Sequence, residues 1–183
     1  MKAISLDMST TCIGWSIWEE DILVDYGKLK PLDDKIEWRE RIQEFIPQLH
    51  SIMKKYKPIK AYAEDVPLMK KGGNKILVQL GACQGSLLGL CYSHNVEVEF
   101  IEVGKWRKNI GISCGETDRD NMKIKSIETA NKIFNLNLNC CFTKSGNYCS
   151  AKSDDDIADS ILIYASTRKK YQKCVSFGRV NNG

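Results

Sequence analysis

Four carboxylates stand where the neighbouring residues make a charge expensive. Asp7 closes the alternating, mostly apolar run Lys2 to Met8, and Glu64 lies near the end of another short run, Ala61-Tyr62-Ala63-Glu64-Asp65. An acid in such a context costs free energy unless it is paired, hydrogen-bonded or bound to a cation. Two strand-end acids lie side by side if their strands are neighbours. A third feature is Ser153-Asp154-Asp155-Asp156-Ile157-Ala158-Asp159-Ser160. If this opens a helix, Asp156 and Asp159 share a face at a spacing of three, and Asp155 and Asp159 do so at four. Carboxylates converging without histidine or cysteine suit a hard divalent cation, Mg²⁺ or Mn²⁺. Two such ions about 4 Å apart suit in-line phosphodiester chemistry, one activating water and the other stabilising the leaving oxygen. Plainer readings exist for single acids. The Asp154 to Asp156 triplet complements a helix dipole, and Asp7 could cap a turn. Glu64, inside an apolar strand, is harder to explain that way, and the set as a whole favours metal.

The elements that must carry these acids follow from periodicity. Lys2 to Met8, Gly14 to Trp18 and Ile22 to Leu29 read as three short strands separated by turn clusters, an antiparallel meander. Trp38, Ile42, Phe45, Ile46, Leu49, Ile52, Met53 and Tyr56 form one helical stripe, with Pro47 expected to kink or split it and Pro58 to end it. Ile59 to Val66 reads as a fourth strand, Lys75 to His94 as a helix and Val96 to Val103 as a fifth strand. Helical patterns return at Lys105 to Ile110, Thr117 to Phe134 and Ser153 to about Tyr171. The order βββ-α-β-α-β-α-α predicts an α/β fold, a mixed five-stranded sheet of three antiparallel strands then two further strands, with helices on both faces.

At 183 residues the chain fits one domain, here residues 1–171, with 172–183 expected as a flexible C-terminal tail. The most apolar runs, Leu87 to Tyr92 and Ile161 to Ala165, are shorter than the ~20 residues of a membrane span. The acid at position 7 comes too early for a signal-peptide core, so neither secretion nor a membrane partner is expected, and a cytoplasmic location is. A net charge of +4 permits a polyanionic partner. The eight cysteines contain no CxxC pair. Cys140, Cys141 and Cys149 cluster, with Cys114 a conceivable fourth member, but the spacing is loose for zinc, and free thiols in a local insertion are expected.

The ordered set resembles the RuvC-type Holliday junction resolvases, particularly their phage and poxvirus branch, within the RNase H-like nuclease superfamily. Leu6-Asp7-Met8-Ser9 followed by Gly14-Trp15 resembles the family's first strand and turn. Ala63-Glu64-Asp65 resembles the segment with its catalytic glutamate, Gly81 to Gly89 its glycine-bearing helix, and Asp155-Asp156-Ile157-Ala158-Asp159-Ser160 its terminal D-x-x-D helix. The resemblance runs from about residue 2 to about 168. It implies an RNase H-like fold, catalytic and metal-binding roles for Asp7, Glu64, Asp156 and Asp159, two Mg²⁺ or Mn²⁺ ions per site, and a homodimer that nicks four-way DNA junctions in pairs. Asp7 would bridge the ions, Glu64 would hold one and orient water, and the helix acids would complete the coordination. Hydrolysis would leave a 5′-phosphate and a 3′-hydroxyl. Pro67 occupies the position where bacterial members often carry an aromatic wedge, which makes other branched DNA a plausible substrate, and Leu136 to Lys152 form a longer connection than the family's.

Basic residues fall near these acids: Lys70, Lys71, Lys75, Lys105, Arg107, Lys108, Arg119, Lys123 and Lys125. Lys70, Lys71, Lys105, Arg107, Lys108, Lys123 and Lys125 are the candidate DNA contacts, through phosphates and therefore salt-sensitive. Trp106 is expected to anchor its short helix in the core rather than to stack on DNA. Gly81, Gly85 and Gly89 repeat every four residues on one helix face, each costing ~1 kcal/mol against alanine. Close packing would offset that cost, either on the chain's own sheet or, as the resemblance implies, on a second copy in a dimer. The rival functions are an RNase H-like enzyme on RNA–DNA hybrids, a non-catalytic junction-binding protein, and half of an actin-like ATPase, for which the chain is too short.

Overall fold

The computed structural model describes residues 1–33, 35–66, 74–112 and 118–176. Three strands open the chain: β1 (Lys2–Met8), β2 (Ile13–Glu19) and β3 (Ile22–Leu29). Helix α1 (Trp38–Tyr56), strand β4 (Lys60–Glu64), helix α2 (Asn74–Ser93) and strand β5 (Glu97–Ile101) follow. The remainder is helical: α3 (Val103–Ile110), α4 (Arg119–Phe134), α5 (Asp155–Ser166) and α6 (Lys169–Ser176). The sheet order is β3-β2-β1-β4-β5. β1 pairs antiparallel with β2 and parallel with β4, so the change of strand sense falls on β1. This is the mixed sheet the sequence predicts.

Strand alternation divides the core into two layers. Ile4, Leu6, Ile13, Ile17, Ala61 and Ala63 face one way and pack with Phe45, Leu49 and Met53 of α1 and Leu87 and Leu90 of α2. Ala3, Trp18 and Tyr62 face the other way, against α3, α4, α5 and α6. α5 lies centrally in that second layer, and every residue from Ile157 to Ser166 is buried. Its apolar residues therefore run almost continuously. Trp18 stacks on Tyr164 of α5 with ring centroids 4.3 Å apart.

Three expectations need correction. α1 runs unbroken through Pro47. Pro47 leaves the Gln43 carbonyl without its intrahelical donor, but Phe45 and Leu49 on either side are buried in the core and hold the helix together. The single helix expected from Ser153 to Tyr171 is instead a 3₁₀ turn (Ser150–Lys152), α5 and α6, with the break at Thr167 and Arg168. The Thr167 hydroxyl bonds back to the Tyr164 carbonyl there, competing with helix continuation. Lastly, α2 is long and apolar enough to cross a membrane by length and composition. Its Cys83, Leu87, Leu90 and Cys91 are buried in this fold.

Candidate active site

Parallel pairing places the first two acids together. The register Ser5↔Tyr62 and Leu6↔Ala63 sets Asp7 and Glu64 one step further on, on neighbouring strands and the same sheet face. On the other side of β1, Asp7 pairs with Gly14 of β2. A Cβ at Gly14 would stand 1.8 Å from the backbone oxygen of Asp156. The missing side chain is what lets the first turn of α5 sit directly on the sheet beside Asp7. The sequence marks Gly14 only as the start of a strand, because close approach is a tertiary property.

Charge interactions define the cluster. Asp7 is half-buried, and its carboxyl is pushed well above the usual aspartate range, by burial first and then by the charges of Glu64, Asp159, Asp156 and Asp155. Asp159 is buried and its pKa is pushed up to about 7: burial dominates, Glu64 and Asp155 add to it, and Ser126 and Arg107 oppose it. Among the described residues neither Oδ1 of Asp159 nor Oγ of Ser126 has a hydrogen-bond partner, although the hydroxyl lies close enough to favour the charged form. Burial also raises Glu64, against the Trp106 hydrogen bond and the Arg107 charge. Among the described residues no three of His, Cys, Asp and Glu stand at the spacing of a preformed metal cage. The donor set nonetheless fits a hard divalent cation: clustered carboxylates, of which Asp7, Glu64 and Asp159 are held toward their neutral forms and Asp159 has a buried oxygen lacking a partner among the described residues.

The acids opening α5 separate by partner. Asp154 accepts from Lys28 Nζ at 2.7 Å and from the Asn139 amide at 2.9 Å. Its carboxyl is lowered: burial works against that, and these bonds outweigh it. Asp155 is buried in an ion pair with Lys123, and Ser150 Oγ lies 3.1 Å from its Oδ2. Asp156 lies beside the thiol of Cys12, which burial and then the Asp156 charge raise above its ordinary range. Asp159 faces Arg107, whose Nη2 is 3.8 Å from Oδ2. Asp155 thus carries a close cation and Asp159 a more distant one, while Asp156 lies beside a thiol, and the charges of all three act on Asp7.

The basic residues divide similarly. Lys105 and Lys108 are exposed on α3. Arg107 is largely buried between α4 and Asp159, with Nη1 3.5 Å from Met122 Sδ. Lys123 points inward to Asp155 and Ser150, beside the acids at the start of α5. Lys125 is half-buried. Lys70 and Lys71 lie outside the described residues, as do Pro67 and Cys114. Cys140, Cys141 and Cys149 are free and half-buried. They flank a small hairpin in which Phe142 pairs with Tyr148.

Trp106 is fully buried, as expected, but also donates its indole N–H to Glu64 Oε2 at 3.0 Å. Nothing local in the sequence signals that bond, whose partner is 42 residues away. On α2, a Cβ at Gly81, Gly85 or Gly89 would meet nothing within 4 Å, so these glycines do not pack on the chain's own sheet.

No family model and no curated protein matches the sequence. Solved structures do match the fold. Thermus thermophilus RuvC in complex with Holliday junction substrate aligns over 95% of this chain and 96% of its own, with TM-score 0.65 and 14% identity. A second T. thermophilus RuvC structure gives TM-score 0.63 at the same identity and coverage. The yeast mitochondrial Holliday junction resolvase Ydc2 aligns over 97% of this chain and 82% of its own, with TM-score 0.52 and 15% identity. The chain therefore has the RNase H-like fold of the RuvC-type Holliday junction resolvases.

Proposed function

We propose that the protein is a metal-dependent endonuclease acting on branched DNA, with the four-way junction as its principal substrate. The observation that carries this is the gathering of Asp7, Glu64, Asp156 and Asp159 around the ends of β1 and β4, in a fold shared with a junction-bound resolvase. Those carboxylates would hold Mg²⁺ or Mn²⁺, two ions per site. When bound, the cations would lower the pKa of attacking water and polarise the phosphodiester. Asp7, on β1 between Glu64 of β4 and the start of α5, would serve both ions. Glu64 orients the attacking water. Exposed Lys105 and Lys108 bind phosphates beside the site, giving affinity that falls with salt and is insensitive to sequence.

A symmetric junction suits a twofold dimer. The α2 face that carries Gly81, Gly85 and Gly89 also exposes Val78, Leu88 and Tyr92. We assign that face to a second copy of the chain.

The test is a synthetic four-way junction incubated with Mg²⁺, comparing wild type with Asp7→Asn. Removing one carboxylate is expected to cut the nicking rate by about a thousandfold, on the order of 4 kcal/mol of barrier. Junction binding in EDTA should persist. Equal cleavage by both proteins would sink the assignment. A linear RNA–DNA hybrid in parallel separates junction resolution from hybrid hydrolysis, and binding without metal-dependent nicking would mark an architectural protein.

A further inference from the structure

We infer that Trp106 is a positioning residue for Glu64, holding one carboxylate oxygen so that the other is presented to a bound divalent cation. This rests on the metal site proposed above. Trp106 has no exposure and sits in the core formed by α3, α4 and α5, so shape alone would be met by another large apolar side chain. What distinguishes tryptophan is its single N–H, and here that donor is spent on a carboxylate.

A buried indole in this chain does not reach an acid by default. Among the described residues Trp15 Nε1 is buried without a partner, and Trp18 Nε1 donates to the Ser16 hydroxyl. The bond from Trp106 to Glu64 is charge-assisted and links α3 to the end of β4. It commits Oε2 to the protein and restricts rotation of the carboxylate. A ligand oxygen fixed in this way loses less conformational freedom when a cation arrives, and such outer partners typically contribute about 10–100-fold in metal affinity or activity.

The test uses Trp106→Phe, which keeps an aromatic ring and removes the donor, with Ile110→Val on the same buried face of α3 as a packing control. Calorimetric Mn²⁺ binding to Trp106→Phe is expected to weaken about tenfold. Junction affinity in EDTA should match wild type, and excess Mn²⁺ should restore nicking. Ile110→Val should keep wild-type Mn²⁺ affinity. The second readout is the indole N–H spectrum of the intact protein, with Trp106 assigned as the signal lost in Trp106→Phe, or by selective labelling if that variant does not fold. That signal should move on addition of Mg²⁺ and in Glu64→Gln. Wild-type Mn²⁺ affinity in Trp106→Phe, or an indole signal indifferent to Mg²⁺ in a protein that binds it, overturns this role alone. A wild type that takes up no Mn²⁺ overturns the metal site together with the role built on it.

Discussion

At the scale of single residues, the cluster holds protons more tightly than the unfolded chain does. The folded-state pKa of Asp159 is about 7, and Asp7 is raised as well. Between the ordinary aspartate value of ~4 and those raised values, the folded protein binds more protons than the unfolded one, so stability falls as pH rises. Asp154, lowered by Lys28, works in the opposite sense and loses its contribution in acid. Calorimetric unfolding in EDTA should therefore show the melting temperature declining from about pH 4 to pH 7 in wild type. Asp159→Asn should flatten that decline and be more stable at neutral pH, by on the order of 1–3 kcal/mol. A wild-type profile that rises through this interval would contradict the raised carboxyls. Lys123 is the complementary case. Lys123→Met leaves Asp155 buried without its cation and should cost about 3–5 kcal/mol by denaturant titration. A variant of unchanged stability but weaker DNA binding would make phosphate contact the main role of Lys123.

At the scale of elements, what matters is how close α5 comes to the sheet. Gly14→Ala adds one methyl against the Asp156 carbonyl. Backbone must move to admit it, so the expected cost is about 2–4 kcal/mol, in the range of severe overpacking. Metal-dependent nicking should be lost although no carboxylate has changed, and junction cleavage beside thermal unfolding measures both effects. An unaltered Tm would mean that α5 is not seated as described. The elements themselves were largely legible. The run Lys2 to Met8 and the run Ile22 to Leu29 have the observed strand bounds because alternation over short windows is a local property. The unbroken path of α1 through Pro47 was not legible, since burial of Phe45 and Leu49 outweighs a local helix penalty.

At the scale of the whole molecule, the sheet's two faces have unequal cover. The face that carries the acids is closed by α3, α4, α5 and α6. The other is covered by α1 and α2, and α2 turns Val78, Leu88, Tyr92 and its glycines outward. Gly85→Arg should leave the protomer's helical circular dichroism intact, because among the described residues nothing beyond the adjacent residues and backbone of its own helix lies within 4 Å of the added Cβ. Sedimentation should show dimer for wild type and monomer for the variant. A monomeric wild type would remove this face from the proposal.

The sequence by itself determined the order of the strands and of the helices as far as α4, the two sheet-end acids and the acid-rich start of α5. Each depends on residue type and short-range spacing. It did not distinguish the helix acids, because Asp155, Asp156 and Asp159 are all compatible with one helix face. The tertiary structure gives them different long-range partners: Lys28 for Asp154, Lys123 for Asp155, Arg107 for Asp159, and the sheet beside Gly14 for the turn that bears Asp156. The same holds for Trp106, whose apolar ring predicts burial while its one polar atom finds a carboxylate on a strand 42 residues away. Local periodicity records which way a side chain faces, and not what waits on the other side of the core.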